Sequence, residues 1–180
     1  MAIDPQPDFT SLIAEFLELA GLEPALIAEL APRIAATGDW KQPLTIDHTT
    51  WPSIDSDYRL TDNSPEFGSQ LLRTHPSDDI DEVVLTYLRT PQPFIEVAEP
   101  SVYWDSQTPI GVRLQEGSVL IDPSSATFSE QLFAALELIS GRRHSRFVAC
   151  PECGERNPPE HRMGDNICHG CAQRNHGVIF

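Results

Sequence analysis

The sequence is poor in positive charge and has no long apolar run. Its 180 residues carry 12 basic and 27 acidic side chains, a formal net charge of -15. An acidic surface repels phosphate, which disfavours nucleic-acid binding by the chain as a whole. No apolar run approaches the roughly 20 residues that cross a bilayer, so no membrane segment is expected. The segment from Met1 to Phe9 lacks the charge and apolar stretch of an export signal, so we expect a cytoplasmic protein.

Sequence motifs of catalysis are missing as well. There is no G-x-S-x-G, no phosphate-cradling glycine loop, no G-x-G-x-x-G and no H-E-x-x-H. His48 and His75 lie in a loop-rich region, where a histidine beside a carboxylate is a possible general base. No spacing of nearby residues supports such a pair. A hydrolase that uses His48 or His75 is therefore kept only as an alternative.

The first forty residues predict a helical hairpin. Apolar residues recur at helical spacing over 12–19 behind Asp8, a residue type that caps helix N-termini. Gly21 suits the end of this first helix. A second apolar series covers residues 22–34, and Pro32 predicts a kink or break inside it.

The middle of the chain predicts loops, one helix and a β-meander. Residues 41–74 are expected to be mostly loop, because apolar residues are sparse and prolines recur. Acidic residues after Ser77 and the apolar spacing of residues 80–88 predict a helix. Strands are expected over 94–98, 101–104, 110–114 and 118–122. Gly117 suits the turn of the last hairpin.

A further helix and the order of elements define the expected fold class. Thr127 and Glu130 match the S/T-x-x-E capping box ahead of an apolar helical series that Gly141 would end. There is no internal repeat and no βαβ alternation. We predict an α+β fold with an N-terminal helical hairpin and a small antiparallel β-meander with flanking helices. An acidic α+β body over residues 1–140 is expected to precede a cysteine-containing module over 141–180.

The four cysteines form two C-x2-C pairs. Cys150 and Cys153 are separated from Cys168 and Cys171 by fourteen residues. One such turn directs two thiolates to a single ion, and a second turn completes a tetrahedron. Four thiolates leave no position for water or substrate, so the metal is expected to be structural. Free or disulfide-linked cysteines are the alternative, and a reducing compartment disfavours the disulfide.

The segment Cys150-Pro151-Glu152-Cys153-Gly154 resembles the first knuckle of the zinc-ribbon family. The resemblance covers about a fifth of the chain, from about residue 146 to 180. It implies a pair of hairpins, a last strand from residues 178–180, and these Zn²⁺ ligands: Cys150, Cys153, Cys168 and Cys171. Ala172 departs from the pattern, because a glycine is common there. Iron is the alternative metal, but rubredoxin, which resembles the ribbon in its knuckles, has its pairs farther apart. His161 and His169 are alternative ligands that four cysteines make unnecessary.

The charge of the C-terminal forty residues bears on partners. Residues 141–180 hold six arginines against four acidic residues, whereas residues 1–140 hold six basic and 23 acidic residues. Four thiolates with one Zn²⁺ add about -2, which cancels the basic surplus. Candidate contacts with a partner or with nucleic acid are Arg142, Arg143, His144, Arg146 and Arg162. The segment Pro158–Arg162 is expected to be exposed.

We interpret the chain as a non-catalytic zinc-binding protein. It would act as a protein-interaction, adaptor, regulatory or assembly subunit, because no catalytic chemistry is recognisable beside the cysteine pairs. The alternative is a nucleic-acid-associated accessory protein of transcription or translation, in which the ribbon and its neighbouring arginines contact the nucleic acid.

Overall fold

The computed structural model describes residues 8–41, 53–54, 60–61, 66–74, 81–89, 93–105 and 108–179. The helices of these residues are α1 (Phe9–Leu19), α2 (Pro24–Ala35), α3 (Phe128–Ser145), α4 (His169–His176) and a short 3-10 helix (Pro159–His161). The strands of the large sheet are β1 (Asp39–Lys41), β2 (Ser53–Ile54), β3 (Leu60–Thr61), β4 (Glu66–Thr74), β5 (Asp81–Arg89), β6 (Phe94–Asp105) and β7 (Thr108–Ile121). The short C-terminal strands are β8 (Val148–Ala149), β9 (Arg156–Asn157), β10 (Arg162–Met163) and β11 (Ile167–Cys168).

The large sheet has the strand order β1-β4-β5-β6-β7-β2-β3. Its pairs are antiparallel except for the parallel pair of β2 and β7. The predicted α+β class is therefore confirmed, with a helical hairpin at the N-terminus and a cysteine cluster at the C-terminus. None of the helices in the described ranges has both the length and the apolar character that a membrane span needs.

Helices α1, α2 and α3 share one hydrophobic core with the sheet. Strand residues alternate between the two faces, and the apolar residues of one face pack with these helices. The core includes Ile13, Phe16, Leu17, Leu30, Ile34, Leu71, Val83, Leu85, Ile95, Val97, Ile121, Phe128, Leu132, Leu136 and Ile139. The body is thus built as a layer of helices on one face of a sheet.

The opposite face of the sheet contains a buried ion pair. Glu96 alternates with the core residues Ile95 and Val97 and therefore points away from the helices. Its carboxylate accepts from Arg113 Nε at 2.6 Å, and both side chains are at most 4% exposed. Burial lowers the pKa of Arg113, although the Glu96 carboxylate opposes this shift.

The N-terminal hairpin follows most of its sequence signals. Asp8 caps α1 by accepting from the backbone N–H of Thr10 at 3.1 Å, and the chain after α1 turns at Gly21 with a φ of 77°. Helix α2 begins at Pro24. Of the kink or break predicted at Pro32, the break is absent, because α2 continues to Ala35.

Two predictions in the middle of the chain are wrong. Residues 81–89 form strand β5 and not a helix, and residues 66–74 form strand β4 and not a loop. β5 lies between β4 and β6, with Val83 and Leu85 facing the helices and Val84 and Thr86 buried on the opposite face. A strand that is buried on both faces has no polar alternation to identify it.

The four short strands of the predicted meander are two long ones. β6 continues through Pro100, which pairs with Arg113, and β7 continues through Gly117. The ladder shifts register between Val97, which pairs with Val119, and Glu99, which pairs with Leu114. Residues 115–118 are therefore a bulge within β7, and Gly117 takes its φ of 73° there and not in a hairpin turn.

Helix α3 is predicted correctly in position but not in its ends. Thr127 precedes the helix without a side-chain capping bond, so the capping box does not form. The Thr127 hydroxyl accepts instead from the Gln131 side chain at 2.8 Å. The helix passes through Gly141 and ends at Ser145, and the boundary at residue 140 stays a prediction.

Candidate metal centre

The four cysteine sulfurs come together at one point of the C-terminal module. All four Sγ atoms lie within 4.8 Å of one another, and the Sγ atoms of Cys153 and Cys168 are 3.7 Å apart. Bond lengths of ~2.3 Å in a tetrahedral zinc site require sulfurs about 3.8 Å apart. Cys150, Cys168 and Cys171 are buried, and Cys153 is exposed. The cluster can therefore hold one metal ion.

The first cysteine pair lies on a tight turn after β8. The N–H of Gly154 donates to the carbonyl of Cys150 at 2.9 Å, and the N–H of Cys150 donates to the carbonyl of Glu155 at 2.8 Å. β8 and β9 pair on either side, with Ala149 opposite Arg156. This hairpin brings Cys150 and Cys153 to the same side of the turn, as the C-x2-C spacing predicts.

The second cysteine pair lies at the start of a helix. Cys168 ends β11 and is the N-cap of α4, and its sulfur accepts from the backbone N–H of Cys171 at 3.4 Å. The C-x2-C spacing places these residues at the N-cap and third positions of the first turn, where a capping side chain reaches the backbone. The positive end of the helix dipole also favours thiolates there.

The pKa values of the cysteines differ because their neighbours differ. The backbone N–H of Cys168 donates to the Cys150 sulfur at 3.4 Å and is the main cause that lowers the pKa of Cys150 to about 6. Contact with the Cys168 sulfur raises the pKa of Cys171, with burial as the next cause. Four crowded sulfurs resist full ionisation unless a cation is shared among them. Their chemistry fits a thiophilic divalent metal.

The module departs from the ribbon at its C-terminal end. β10 and β11 form the second hairpin, but α4 follows it, and Val178 and Ile179 form no strand. α4 ends at Gly177, which has a left-handed φ of 65°. The carboxylate of Glu152 fixes this helix to the first knuckle, since it contacts the Asn175 amide and the His176 ring, each at 2.6 Å. The predicted last strand is therefore wrong for the described residues.

His161 and His169 do not join the cluster. The four cysteines form the only group of metal-ligating side chains of this kind in the described part of the chain. The two histidine rings lie near each other, with centroids 6.1 Å apart. Burial and the neighbouring His161 lower the pKa of His169.

The candidate contact residues at the end of α3 are engaged within the protein. Arg142 and Arg146 both pair with Glu99 of β6, a fully buried carboxylate. His144 Nε2 lies 2.5 Å from Glu82 of β5, and this carboxylate also pairs with Arg73. The stretch therefore attaches α3 to the sheet.

Arg143 faces the cysteine module. It forms a two-point ion pair with Glu160 of the 3-10 helix, and the two side chains are only 3% and 6% exposed. The expectation that the whole segment Pro158–Arg162 is exposed is therefore wrong for Glu160, and also for Pro158, which is buried. Arg162 is also held, because its guanidinium donates to the carbonyls of Pro158 and Arg146 and to Asn166.

No sequence signal identified the carboxylates that pair with these side chains. Glu82, Glu99 and Glu160 lie far from one another along the chain and match no motif. The strand register brings the first two to α3, and the turn between the cysteine pairs brings the third. His48 and His75 lie outside the described residues.

The fold and the site thus define an α+β protein with a C-terminal four-cysteine cluster that can bind a metal ion. Comparisons with protein-family models, with curated proteins and with solved structures find no match to this chain.

Proposed function

We propose that Cys150, Cys153, Cys168 and Cys171 bind one Zn²⁺ ion, and that the folded module mediates contact with a protein partner. The convergence of the four sulfurs within 4.8 Å carries the metal part of this proposal. Zinc is favoured because it accepts four thiolates in a tetrahedron without geometric preference of its own. The bound ion supplies positive charge that stabilises four neighbouring thiolates.

The role of the metal is structural. All four coordination positions are taken by protein sulfur, so neither water nor substrate has access to the ion. Zinc-finger peptides gain roughly 10 kcal/mol or more from such binding, which exceeds the net stability of many domains. The module consists of the short strands β8 to β11 and the eight-residue helix α4. Elements this small bury too little apolar surface to be stable without the bound metal.

Two features support a protein partner over a nucleic acid. The arginines nearest the module are used in internal ion pairs, which weakens their contribution to phosphate binding. The module also exposes apolar side chains, since Val148, Met163 and Ile179 are 38%, 37% and 82% exposed. We take these exposed side chains as the candidate contacts of the module with a protein partner. An adaptor, regulatory or assembly subunit matches these properties.

Metal analysis tests the first part of the proposal. Protein purified under reducing conditions should contain one equivalent of zinc per chain. Cys168→Ser should lose it, because serine is a poor zinc ligand and Cys168 also caps α4. Iron in place of zinc, or protein without transition metal after incubation with zinc, would contradict the proposal.

Affinity capture with surface variants tests the second part. Met163→Asp and Ile179→Asp should retain zinc but lose a partner that the unchanged chain captures. Leu19→Asp is the matched control, because Leu19 is 49% exposed on α1 of the body. A partner lost only with the control would assign recognition to the body and not to the module.

A further inference from the structure

We propose that metal binding at the four-cysteine centre is coupled to the docking of residues 154–167 on the C-terminal end of helix α3. This segment is called the inter-pair segment, because it is the chain between Cys153 and Cys168. The inference rests on the proposed function, since it assigns a regulatory property to the same site. The metal acts as a latch that controls the contact between module and body.

The metal fixes both ends of the inter-pair segment. The first cysteine pair immediately precedes the segment and the second immediately follows it, so one ion closes it into a loop of fourteen residues. Closing a loop removes most of the conformations that its ends sample when apart. The segment has little structure of its own, namely β9, the 3-10 helix and the hairpin strands β10 and β11.

Three side chains of this segment hold the end of α3. Arg156 donates to the carbonyls of His144 at 3.2 Å and Phe147 at 2.9 Å. Arg162 donates to the carbonyl of Arg146 at 3.3 Å. His144 is in the last turn of α3, where its carbonyl also accepts from the backbone N–H of Phe147, and Arg146 and Phe147 directly follow the helix. Cationic donors at this position also interact favourably with the helix dipole.

The Arg143–Glu160 ion pair is the third and most buried contact. A buried pair that loses one partner leaves a charge with poor solvation, which makes separation of the two groups costly. Metal release frees the ends of the inter-pair segment and so weakens the restraint that keeps Glu160 against Arg143. The 3-10 helix that carries Glu160 also contacts β6, so the module touches the sheet there.

Residues on both sides of Arg143 transmit the effect to the body. Arg142 and Arg146 bind Glu99, and His144 binds Glu82, while Arg143 between them binds the module. One helix end thus contacts a carboxylate of β5 and makes ion pairs with β6 and the 3-10 helix. An element that both sites contact can couple them energetically.

Linkage makes the coupling reciprocal. If zinc strengthens the docked arrangement by some factor, then weakening the docked arrangement must lower zinc affinity by the same factor. Zinc affinity therefore measures the coupling between metal binding and docking of the inter-pair segment. It can be measured by competition with a chromophoric chelator, without knowledge of any partner.

The test compares two charge-neutralising variants of the module. Glu160→Gln should lower zinc affinity by about tenfold, within the usual range of coupling between sites. Asp165→Asn, which removes the same charge at an exposed position between β10 and β11, should change it by less than about twofold. Equal affinities for the two variants would overturn the latch while leaving the zinc site intact. An unchanged chain that binds no zinc would overturn the proposed function and the latch together.

Hydrogen exchange on the unchanged chain tests the proposal without any variant that could misfold. The amides of Arg146 and Phe147 donate to the carbonyls of Arg143 and His144 at the end of α3. Zinc should slow their exchange, and exchange that is the same with and without zinc would overturn the latch.

The double variant Arg143→Met with Glu160→Gln should regain much of the zinc affinity that Glu160→Gln loses, because both charges are then gone. No recovery would overturn the assignment of the coupling to the Arg143–Glu160 pair.

Discussion

Gly117 is restricted both by its backbone conformation and by the lack of room for a side chain. Its φ is 73°, and a Cβ built there would lie 2.2 Å from Nη1 of Arg142. We expect Gly117→Ala to lower the free energy of unfolding by about 1–2 kcal/mol, since an L-residue is disfavoured in this region. Displacement of the Arg142 guanidinium from Glu99 adds to the loss. Denaturant unfolding measures the change.

Gly141 is the matched control for this prediction. It lies within α3, and a Cβ there would meet no other atom within 4 Å. Gly141→Ala should raise the free energy of unfolding by about 0.5–1 kcal/mol, because alanine restricts the unfolded chain and favours a helix. If both substitutions destabilise the protein equally, the claim that Gly117 in particular does not tolerate a side chain is wrong.

Arg113 offers a test of the buried ion pair on the sheet. Arg113→Met should destabilise the fold by about 3–5 kcal/mol, because the Glu96 carboxylate remains buried without this partner. Arg33→Met is the comparison, since the Arg33–Glu29 pair is 50% and 61% exposed and such pairs contribute less than about 1 kcal/mol. Chemical denaturation of both variants measures the difference. Similar losses would mean that burial does not decide the value of these pairs.

The cysteine residues were predictable from sequence and their charged neighbours were not. The two C-x2-C pairs identify a cluster because each spacing acts over one local turn. Arg143 and Glu160 are partners only because two elements meet in space, and no local pattern records such a meeting. The arginines were recognised as a group, but the sequence did not decide between external and internal partners.

Among the elements, strand β5 shows why periodicity misled the prediction. Its apolar residues Val83, Val84 and Leu88 match a helical spacing, and its acidic residues resemble a helix start. The same segment is rich in β-branched residues and is buried on both faces of the sheet. The segment is a strand because it pairs with β4 and β6, and a local sequence pattern carries no information on this pairing.

The prediction divided strands β6 and β7 into four shorter strands. Gly117 suggested a hairpin turn, and Pro100 fell between two predicted strands, yet both lie inside long strands. The bulge at residues 115–118 accommodates the irregularity without ending the pairing. By contrast, the helical hairpin was predicted well, because its amphipathic spacing and cap are local.

Helix α1 provides a pH-dependent prediction at its N-terminus. The Ser11 side chain, which donates to Asp8 at 2.7 Å, is the main cause that lowers the pKa of Asp8 below 3.8. A lowered carboxyl pKa in the folded state stabilises the fold above the unfolded pKa. This contribution is lost as the pH falls through the folded value. The exchange rate of the Thr10 amide should therefore rise relative to its intrinsic rate in acid below about pH 4.

Asp8→Asn is the control for the helix cap. Asparagine caps helices as well as aspartate does but does not titrate. The variant should keep the helix and lose the acid-dependent change at Thr10. Persistence of that change in the variant would assign it to another group.

At the scale of the whole molecule, zinc concentration should set the stability of the fold. If one ion binds only the folded chain, the free energy of unfolding rises by about 1.4 kcal/mol for each tenfold increase in free zinc above the dissociation constant. Unfolding followed by tryptophan fluorescence reports on the body, where Trp40 is buried in the core. We expect the fluorescence transition to show this dependence.

The contrary result is equally informative about the molecule. A fluorescence transition that ignores zinc, together with a zinc-dependent change in circular dichroism, would mean that the module unfolds by itself. Body and module would then be separate cooperative units, as the predicted boundary at residue 140 implies.

The continuity of helix α3 limits how this molecule can be divided. A cut after residue 140 would leave Arg142 and Arg146 on the C-terminal fragment and their partner Glu99 on the other. Each fragment would carry charges that the intact protein neutralises across the cut. A gene fusion made at this point would therefore transfer an incomplete module. A module that can be transferred to another protein would have to include the whole of helix α3 from Phe128.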